Sequence, residues 1–308
     1  MLHQSTPLTR SENTSRRSVR PEHVCIGDIQ VALTSDDPSI EIGVDRMTRQ
    51  FLVDAGRADV NVSIVWGDLR WPVEGVEIFD SGGLWKLYRD ASDYVFVFTS
   101  PVFGRRPYKK ARFKSDFTSG TVTLHADYCK PHEPAFPLEY PLDELLMTNL
   151  LARGRGVEVH ACGMRDRDGR GYLFLGHSGA GKTTTAKLWA EAGVRILSDD
   201  RIILRHLEGK VWMYGTPWHG EAKFAEAMRT RLTQIFVLGR GVRNELIPMA
   251  LPEAVANLFT RSFVPFYNAA ALAFTLEVLQ HVAGAASCSE LRFVPDERVI
   301  EFVRENAA

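Results

Sequence analysis

The sequence predicts an α/β protein in which a helix-flanked sheet with a glycine-rich loop follows a smaller β-rich domain. The first supporting observation is a series of short runs of alternating apolar and polar residues from Val24 to about Thr123, which is typical of strands. The second is that strand and helix patterns alternate after this region. We therefore expect a β-rich N-terminal domain over 23–135 and the α/β domain over 136–308. Residues 1–22, rich in Ser, Thr and Arg, are expected to form a disordered tail.

Composition argues against several classes of partner. Lys and Arg total 37 against 38 Asp and Glu, so the overall charge favours neither nucleic acid nor an anionic membrane as partner. The four cysteines lie far apart and form no CxxC pair, which indicates reduced thiols in a cytoplasmic protein. The long apolar window 268–286 contains a Glu, a Gln and a His, and it predicts a buried helix rather than a membrane span. The cysteines are Cys25, Cys129, Cys162 and Cys288.

Alternating runs in the first part predict antiparallel strands joined by tight turns. Segments of Gly, Ser and Asp at 81–83 and 90–93 have the residue types that turns require. The predicted strands are NVSIVW (61–66), LWKLYRD (84–90), DYVFVFT (93–99) and GTVTLHA (120–126).

A proline-rich connector separates the two parts. Residues 130–141 contain four prolines, too many for a helix or a central strand. After Pro141, a residue suited to a first helical turn, leucines recur at helical spacing. The domain boundary is therefore expected near 130–140.

The motif GHSGAGKTT follows an apolar strand, 171–176, which pairs in a predicted hairpin with VEVHACG, 157–163. It meets the P-loop pattern G-x-x-x-x-G-K-[ST], in which backbone N–H groups surround a phosphate, the lysine contacts phosphate oxygens and the hydroxyl ligates Mg²⁺. A helix that starts at Lys182 adds its positive end. ATP and Mg²⁺ are the expected ligands. The residues expected to hold the nucleotide are Gly176, His177, Ser178, Gly179, Ala180, Gly181, Lys182, Thr183 and Thr184.

An acidic pair, Asp199 and Asp200, follows the strand VRILS (194–198). Eleven helical residues and five extended residues each span about 16 Å, so the chain returns to the level of the glycine-rich loop. One carboxylate is then placed to hold Mg²⁺ and the other to accept a proton. The alternative is a solvated hairpin turn, since two aspartates before an apolar run often mark one.

These residues resemble the HPr kinase/phosphorylase family and its relatives, which include phosphoenolpyruvate carboxykinase and the kinases of lasso-peptide precursors. The resemblance covers about 157–205 and implies an HPr kinase/PEP carboxykinase-like P-loop fold. It implies that Lys182 and Thr183 hold the phosphates and the metal, that Asp199 is the general base and that Asp200 helps to coordinate Mg²⁺. It also implies that His160 lies near the active site, although a single strand histidine is often only structural. A homo-oligomer is a further implication.

The segment 208–226 does not match the later signature of that family, so HPr itself is not expected as the substrate. Within it, GTPWHGE (215–221) is either an acceptor-side loop, with His219 and Glu221 as polar candidates, or a well-packed turn. Arg261 is either a phosphate contact or a helix-end charge.

The remaining sequence continues the α/β alternation. A strand is predicted at 232–238, helices at 251–259 and 268–286, a strand at 289–296 and a last helix at 299–305.

The function expected from the sequence is an ATP- and Mg²⁺-dependent kinase that phosphorylates a hydroxyl, either a serine of a peptide or protein or a small serine-like metabolite. One alternative is a nucleotide-switched protein that binds a partner peptide without phosphotransfer. Another is a phosphorylase or pyrophosphate-using enzyme with the same site.

Overall fold

The computed structural model describes residues 21–69, 74–127 and 134–306, which form two mixed β-sheets and five α-helices. The first sheet contains β1 (Glu22–Ile26), β2 (Ile29–Thr34), β3 (Val60–Trp66), β4 (Val76–Asp80), β5 (Trp85–Asp90), β6 (Asp93–Ser100), β7 (Gly104–Phe113) and β8 (Ser119–Leu124). The second contains β9 (Val157–Arg165), β10 (Gly171–Leu175), β11 (Arg195–Ser198), β12 (Arg201–Leu207), β13 (Lys210–Tyr214), β14 (Arg229–Arg240), β15 (Glu245–Pro248), β16 (Ser262–Phe263) and β17 (Ser287–Phe293). The helices are α1 (Leu142–Leu151), α2 (Lys182–Glu191), α3 (Leu251–Phe259), α4 (Ala269–Ala285) and α5 (Arg298–Asn306).

The predicted tail, 1–22, lies outside the described residues up to position 20, and Glu22 already begins β1. The first part of the proline-rich connector also lies outside them, as does Cys129. The other three cysteines are free thiols, as predicted.

The first sheet has the order β1-β2-β3-β8-β7-β6-β5-β4. The four predicted strands are confirmed as β3, β5, β6 and β8. The predicted antiparallel pairing is confirmed for five of the seven neighbouring pairs in this sheet, but it is wrong for β3, which pairs parallel with both β2 and β8. A parallel neighbour needs a long crossover connection rather than a tight turn. Residues 35–59, which include a short 3-10 helix at Thr48–Phe51, provide that connection between β2 and β3.

The second sheet is organised around β9, which has neighbours on both sides over most of its length. Its second half lies between β10 and β11, and its first half lies between β12 and β16. The strands β11 and β12 continue along the same side of β9 and are interrupted at Asp199 and Asp200. The strand predicted to end before this acidic pair therefore resumes after it.

Helices cover both faces of the second sheet. Apolar residues of α3 and α4, such as Leu258 and Leu279, pack in one core, and those of α2 and α5, such as Trp189 and Val303, pack in another. All five helices follow from the sequence patterns, and α4 occupies the apolar window at 268–286. Among the helices of the described residues, none combines the length and apolar character that crossing a membrane requires.

Helix α1 packs against the first sheet, although it belongs to the predicted second domain. Its residues Leu146 and Leu150 lie in one apolar core with Phe96 and Phe98 of β6. Hydrogen bonds also join the two sheets: Arg205 donates to the carbonyl of Gly27 over 2.7 Å. The division at 135/136 stays a prediction, and the two predicted parts share a core.

We predict that Leu146→Ala lowers the free energy of unfolding by about 3 kcal/mol, because a fully buried leucine is replaced by a cavity. Urea denaturation followed by circular dichroism measures the change. Val102→Ala is the control, since Val102 is 83% exposed and its loss should change stability by less than about 0.5 kcal/mol. An unchanged midpoint for Leu146→Ala would contradict the shared core.

Candidate active site

The register of β9 brings the glycine-rich loop and the acidic pair to the same level of the sheet. Ala161 pairs with Leu175, the last residue of β10, on one side, and its N–H donates to the carbonyl of Asp200 on the other, over 3.1 Å. Adjacent strands lie about 4.8 Å apart, so Leu175 and Asp200 are separated by about 10 Å. The return of the chain to this level agrees with the length argument from the sequence.

The glycine-rich loop connects β10 directly to α2. Gly179 and Gly181 have φ values of +79° and +107°, which other residues rarely adopt. At Gly176 an added Cβ would lie 2.6 Å from the Cβ of Ala180, so the tight curve of the loop also requires glycine there. The loop ends at Lys182, where α2 begins. The first backbone N–H groups of a helix have no partner within the helix, so this end of α2 is suited to binding an anion.

Lys182 is buried and lies against the loop itself. Its Nζ donates to the carbonyls of Gly176 and His177 over 2.7 and 3.3 Å. Burial lowers the pKa of Lys182, and the nearby Asp200 carboxylate partly offsets this effect. A cation held in this way, beside the start of a helix, is a ready partner for a phosphate oxygen.

Asp199 is buried and holds the loop that contains GTPWHGE in place. Its carboxylate accepts backbone N–H bonds from Gly220, Ala222 and Phe224 over 3.0, 2.9 and 3.2 Å. These three bonds occupy most of its accepting capacity. The contacts therefore give Asp199 a positioning function for the loop.

Asp200 instead lies among basic side chains. Its Oδ1 is 3.0 Å from Nε2 of His160, and its Oδ2 accepts a short hydrogen bond from Arg201. Burial raises the pKa of Asp200, but the His160 hydrogen bond and the Arg201 charge outweigh burial and hold that pKa below its ordinary value. The structure thus brings together His160, Asp200 and Lys182, three of the residues predicted from the sequence.

Sequence reasoning missed a buried charge cluster behind this group. Arg201 Nε lies 3.0 Å from Oε1 of Glu144 and 3.5 Å from Oε1 of Glu158, whose side chain is fully buried. Burial raises the pKa of Glu158, and the neighbouring Glu144 raises it further. The local signal was weak: Arg201 follows the acidic pair directly, but Glu144 is 57 residues away in sequence.

The GTPWHGE segment and Arg261 make separate contacts. Trp218 donates from its indole N–H to Asp143 over 2.7 Å, and His219 lines a cavity that also contacts Asp200. Arg261 donates to the carbonyl of Asn257 over 2.8 Å, and its Nε is buried without a hydrogen-bond partner. Burial is the main cause of the lowered pKa of Lys182, and the positive charge of Arg261 lowers that pKa further, whereas Asp200 raises it. Arg261 therefore lies within electrostatic reach of the loop.

A magnesium ion fits this arrangement only together with phosphate oxygens. Within the described residues, no group of three or more His, Cys, Asp or Glu side chains could hold a metal by itself. Mg²⁺ usually needs one or two carboxylates and takes its other ligands from phosphate and water. Thr183, in the first turn of α2, and Asp200 are the side chains that could contribute to such a site.

No protein-family model matches the chain, and no curated protein matches it. Among solved structures, the Hpr(Ser) kinase/phosphatase from Coxiella burnetii aligns with a TM-score of 0.29 and 11% sequence identity. The alignment covers 48% of this chain and 94% of that chain. This is a weak similarity at the level of the fold, and membership of the family stays a prediction.

We predict that the free energy of unfolding of Asp143→Asn increases relative to that of the wild type as the pH rises. Burial raises the pKa of Asp143 to about 7, whereas an aspartate of an unfolded chain titrates near 4. The folded state therefore binds this proton more tightly than the unfolded state does. The stabilisation that the wild type gains in this way is fully present below pH 4 and is lost as the pH rises to 7. Urea denaturation should show the variant gaining about 2–3 kcal/mol over the wild type between pH 5 and pH 8. An equal difference at both pH values would contradict this assignment.

Proposed function

We propose that the chain transfers the γ-phosphate of ATP to a hydroxyl, either a serine of a peptide or protein or a small serine-like metabolite. The observation that carries the proposal is the pairing of Ala161, which has the end of β10 on one side and Asp200 on the other. A lysine-bearing anion site and a carboxylate at this separation can share one triphosphate. Phosphoryl transfer depends mainly on such positioning and on electrostatic stabilisation.

The glycine-rich loop and Lys182 are assigned to the β- and γ-phosphates. The first N–H groups of α2 would contribute partial positive charge at the same place. Thr183 and Asp200 would hold Mg²⁺, which, when bound, neutralises charge on the transferring phosphoryl group. Arg261 is assigned as a further cation for the phosphates, which is supported by its unpartnered Nε and its proximity to Lys182.

We assign the His160 and Asp200 pair as the group that takes up the proton of the phosphate-accepting hydroxyl. Oδ1 of Asp200 lies 3.0 Å from Nε2 of the imidazole, so the two side chains form one hydrogen-bonded pair next to the phosphate-binding loop, within the geometry that general-base catalysis requires. The resemblance to the HPr kinase/phosphorylase family had implied Asp199 for this role. Its three backbone hydrogen bonds support a positioning role instead.

We predict that Lys182→Ala lowers ATP affinity at least tenfold, because a charge-assisted contact to phosphate is worth about 1.5–3 kcal/mol. Isothermal titration calorimetry with a non-hydrolysable ATP analogue measures the change. Lys187→Ala is the matched control, since Lys187 is exposed on the same helix. Equal affinities of both variants for the ATP analogue would contradict the assignment of the loop to the ATP site.

Asp199→Asn and Asp200→Asn should distinguish the residue that positions the loop from the residue that takes part in phosphoryl transfer. Asp200→Asn is expected to lower kcat at least 100-fold with the fold retained, because it weakens both the metal site and the support of His160. Asp199→Asn places an amide NH₂ opposite a backbone N–H, so it should lower the melting temperature and raise the KM for the acceptor. Steady-state kinetics with radiolabelled ATP and thermal denaturation measure both.

A wild-type melting temperature and KM for Asp199→Asn, together with a kcat reduced 100-fold or more, would instead assign the proton-accepting role to Asp199.

The two alternative functions predict different outcomes. A nucleotide-switched binding protein would bind ATP without forming any phosphorylated product. A phosphorylase would require inorganic phosphate.

A further inference from the structure

A cavity of about 590 Å³ opens between the first sheet and the acidic pair. One wall is formed by Val24, Ile26 and Leu33 of β1 and β2. The lining also includes Asp200 and Trp218. The two predicted domains therefore enclose a space that leads directly to the carboxylate assigned to catalysis.

The size and apolar lining of the cavity indicate what kind of molecule it holds. Pockets for drug-sized ligands occupy roughly 300–1,000 Å³ and are mainly apolar with a few polar groups at defined positions. This cavity has that character, because its lining combines apolar residues of β1 and β2 with polar side chains such as Asp200 and Arg201. A single serine molecule would leave most of the apolar wall without contacts.

The charges around the cavity are mainly negative. Among the described residues that line it, there is one arginine, Arg201, and there are five carboxyl groups, of which Asp143 is largely neutral below pH 7 because burial raises its pKa to about 7. A ligand carboxylate placed next to these groups would therefore be repelled. Free serine carries such a carboxylate together with an ammonium group, whereas a serine inside a peptide carries neither charge. The carboxyl groups belong to Asp45, Glu139, Asp143, Glu144 and Asp200.

A second cavity of about 270 Å³ adjoins the first and shares Tyr140, Glu144 and Arg201 with it. Phe266 lines this second cavity, and both Tyr140 and Phe266 are more than 60% exposed. Two neighbouring apolar cavities with exposed aromatic rings suit an extended chain, in which alternate side chains lie about 6.6 Å apart. A small metabolite would use only one of them.

We propose that the phosphate acceptor is a hydroxyl residue inside a peptide segment, with a bulky apolar residue within two positions of it that occupies the larger cavity. The proposal rests on the proposed phosphotransfer function and specifies its substrate class. The acceptor hydroxyl lies at the Asp200 end, the apolar side chain packs against β1 and β2, and acidic residues are disfavoured next to it. In the transfer, the hydroxyl oxygen forms the new bond to the γ-phosphorus of ATP, ADP leaves and the hydroxyl proton passes to the His160 and Asp200 pair.

An arrayed peptide library tests this substrate class. Each peptide is acetylated and amidated, contains one central serine in an alanine background, and carries one substituted residue within two positions of it. With radiolabelled ATP, a Leu, Phe or Trp at the preferred position should raise the rate at least tenfold over Ala, and Asp should lower it at least tenfold. Free L-serine should react at least 100-fold more slowly than the best peptide.

A cavity-filling variant tests the location. Val44 lines the larger cavity and is half-buried, so Val44→Trp should fill part of the space. It should raise the KM for the best peptide at least tenfold and leave the KM for ATP unchanged. Val102→Trp, at an exposed position, is the matched control and should leave both constants unchanged. Circular dichroism melting curves verify that both variants fold.

The possible failures are distinguishable. Equal rates with free serine and with all peptides would overturn the substrate class but retain the phosphotransfer function. An unchanged peptide KM in folded Val44→Trp would overturn the seating of the peptide in this cavity. Absence of phosphorylated product with every probe would overturn the phosphotransfer function itself, and the substrate proposal with it.

Discussion

The site depends on one structural constraint, the position of Ala161 in the middle of β9. Because β9 is paired on both sides, its backbone fixes the end of β10 and the break between β11 and β12 relative to each other. Neither the glycine-rich loop nor the acidic pair can shift along the sheet without breaking these hydrogen bonds. In the proposed phosphoryl transfer, pre-organisation of this kind would place charges where the transferring group needs them, so that little reorganisation would be required during the reaction.

The buried charge cluster serves this placement more than it serves stability. Replacing a buried ion pair by apolar residues is often neutral or stabilising, so the contacts of Arg201 with Glu144 and Glu158 are weak evidence for a stabilising role. They do fix the guanidinium that bonds to Asp200. The cluster therefore sets the orientation of a carboxylate that also contacts His160.

The sequence predicted the local features of the site and missed the long-range ones. The loop, the helix after it and the return of the chain to Asp199 and Asp200 follow from motif and element length. Which carboxylate bonds to backbone and which to His160 depends on residues 220–224, distant partners that no local pattern identifies. For the same reason the parallel pairs of β3 and the hairpin of β12 and β13 were not predicted, since pairing depends on contacts between separate segments.

Helix α1 explains how the β-rich first sheet can influence a site that belongs to the second. Leu146 and Leu150 anchor one face of this helix in the core of the first sheet, while Glu144 and Thr148 contact Arg201 and Glu158. Asp143 from the same helix binds the indole of Trp218. Since one rigid helix carries both sets of contacts, a displacement of the first sheet would also displace the groups that orient Arg201 and Trp218. The first sheet is thus a structural part of the site, because it forms a cavity wall and supports the helix that positions the charge cluster.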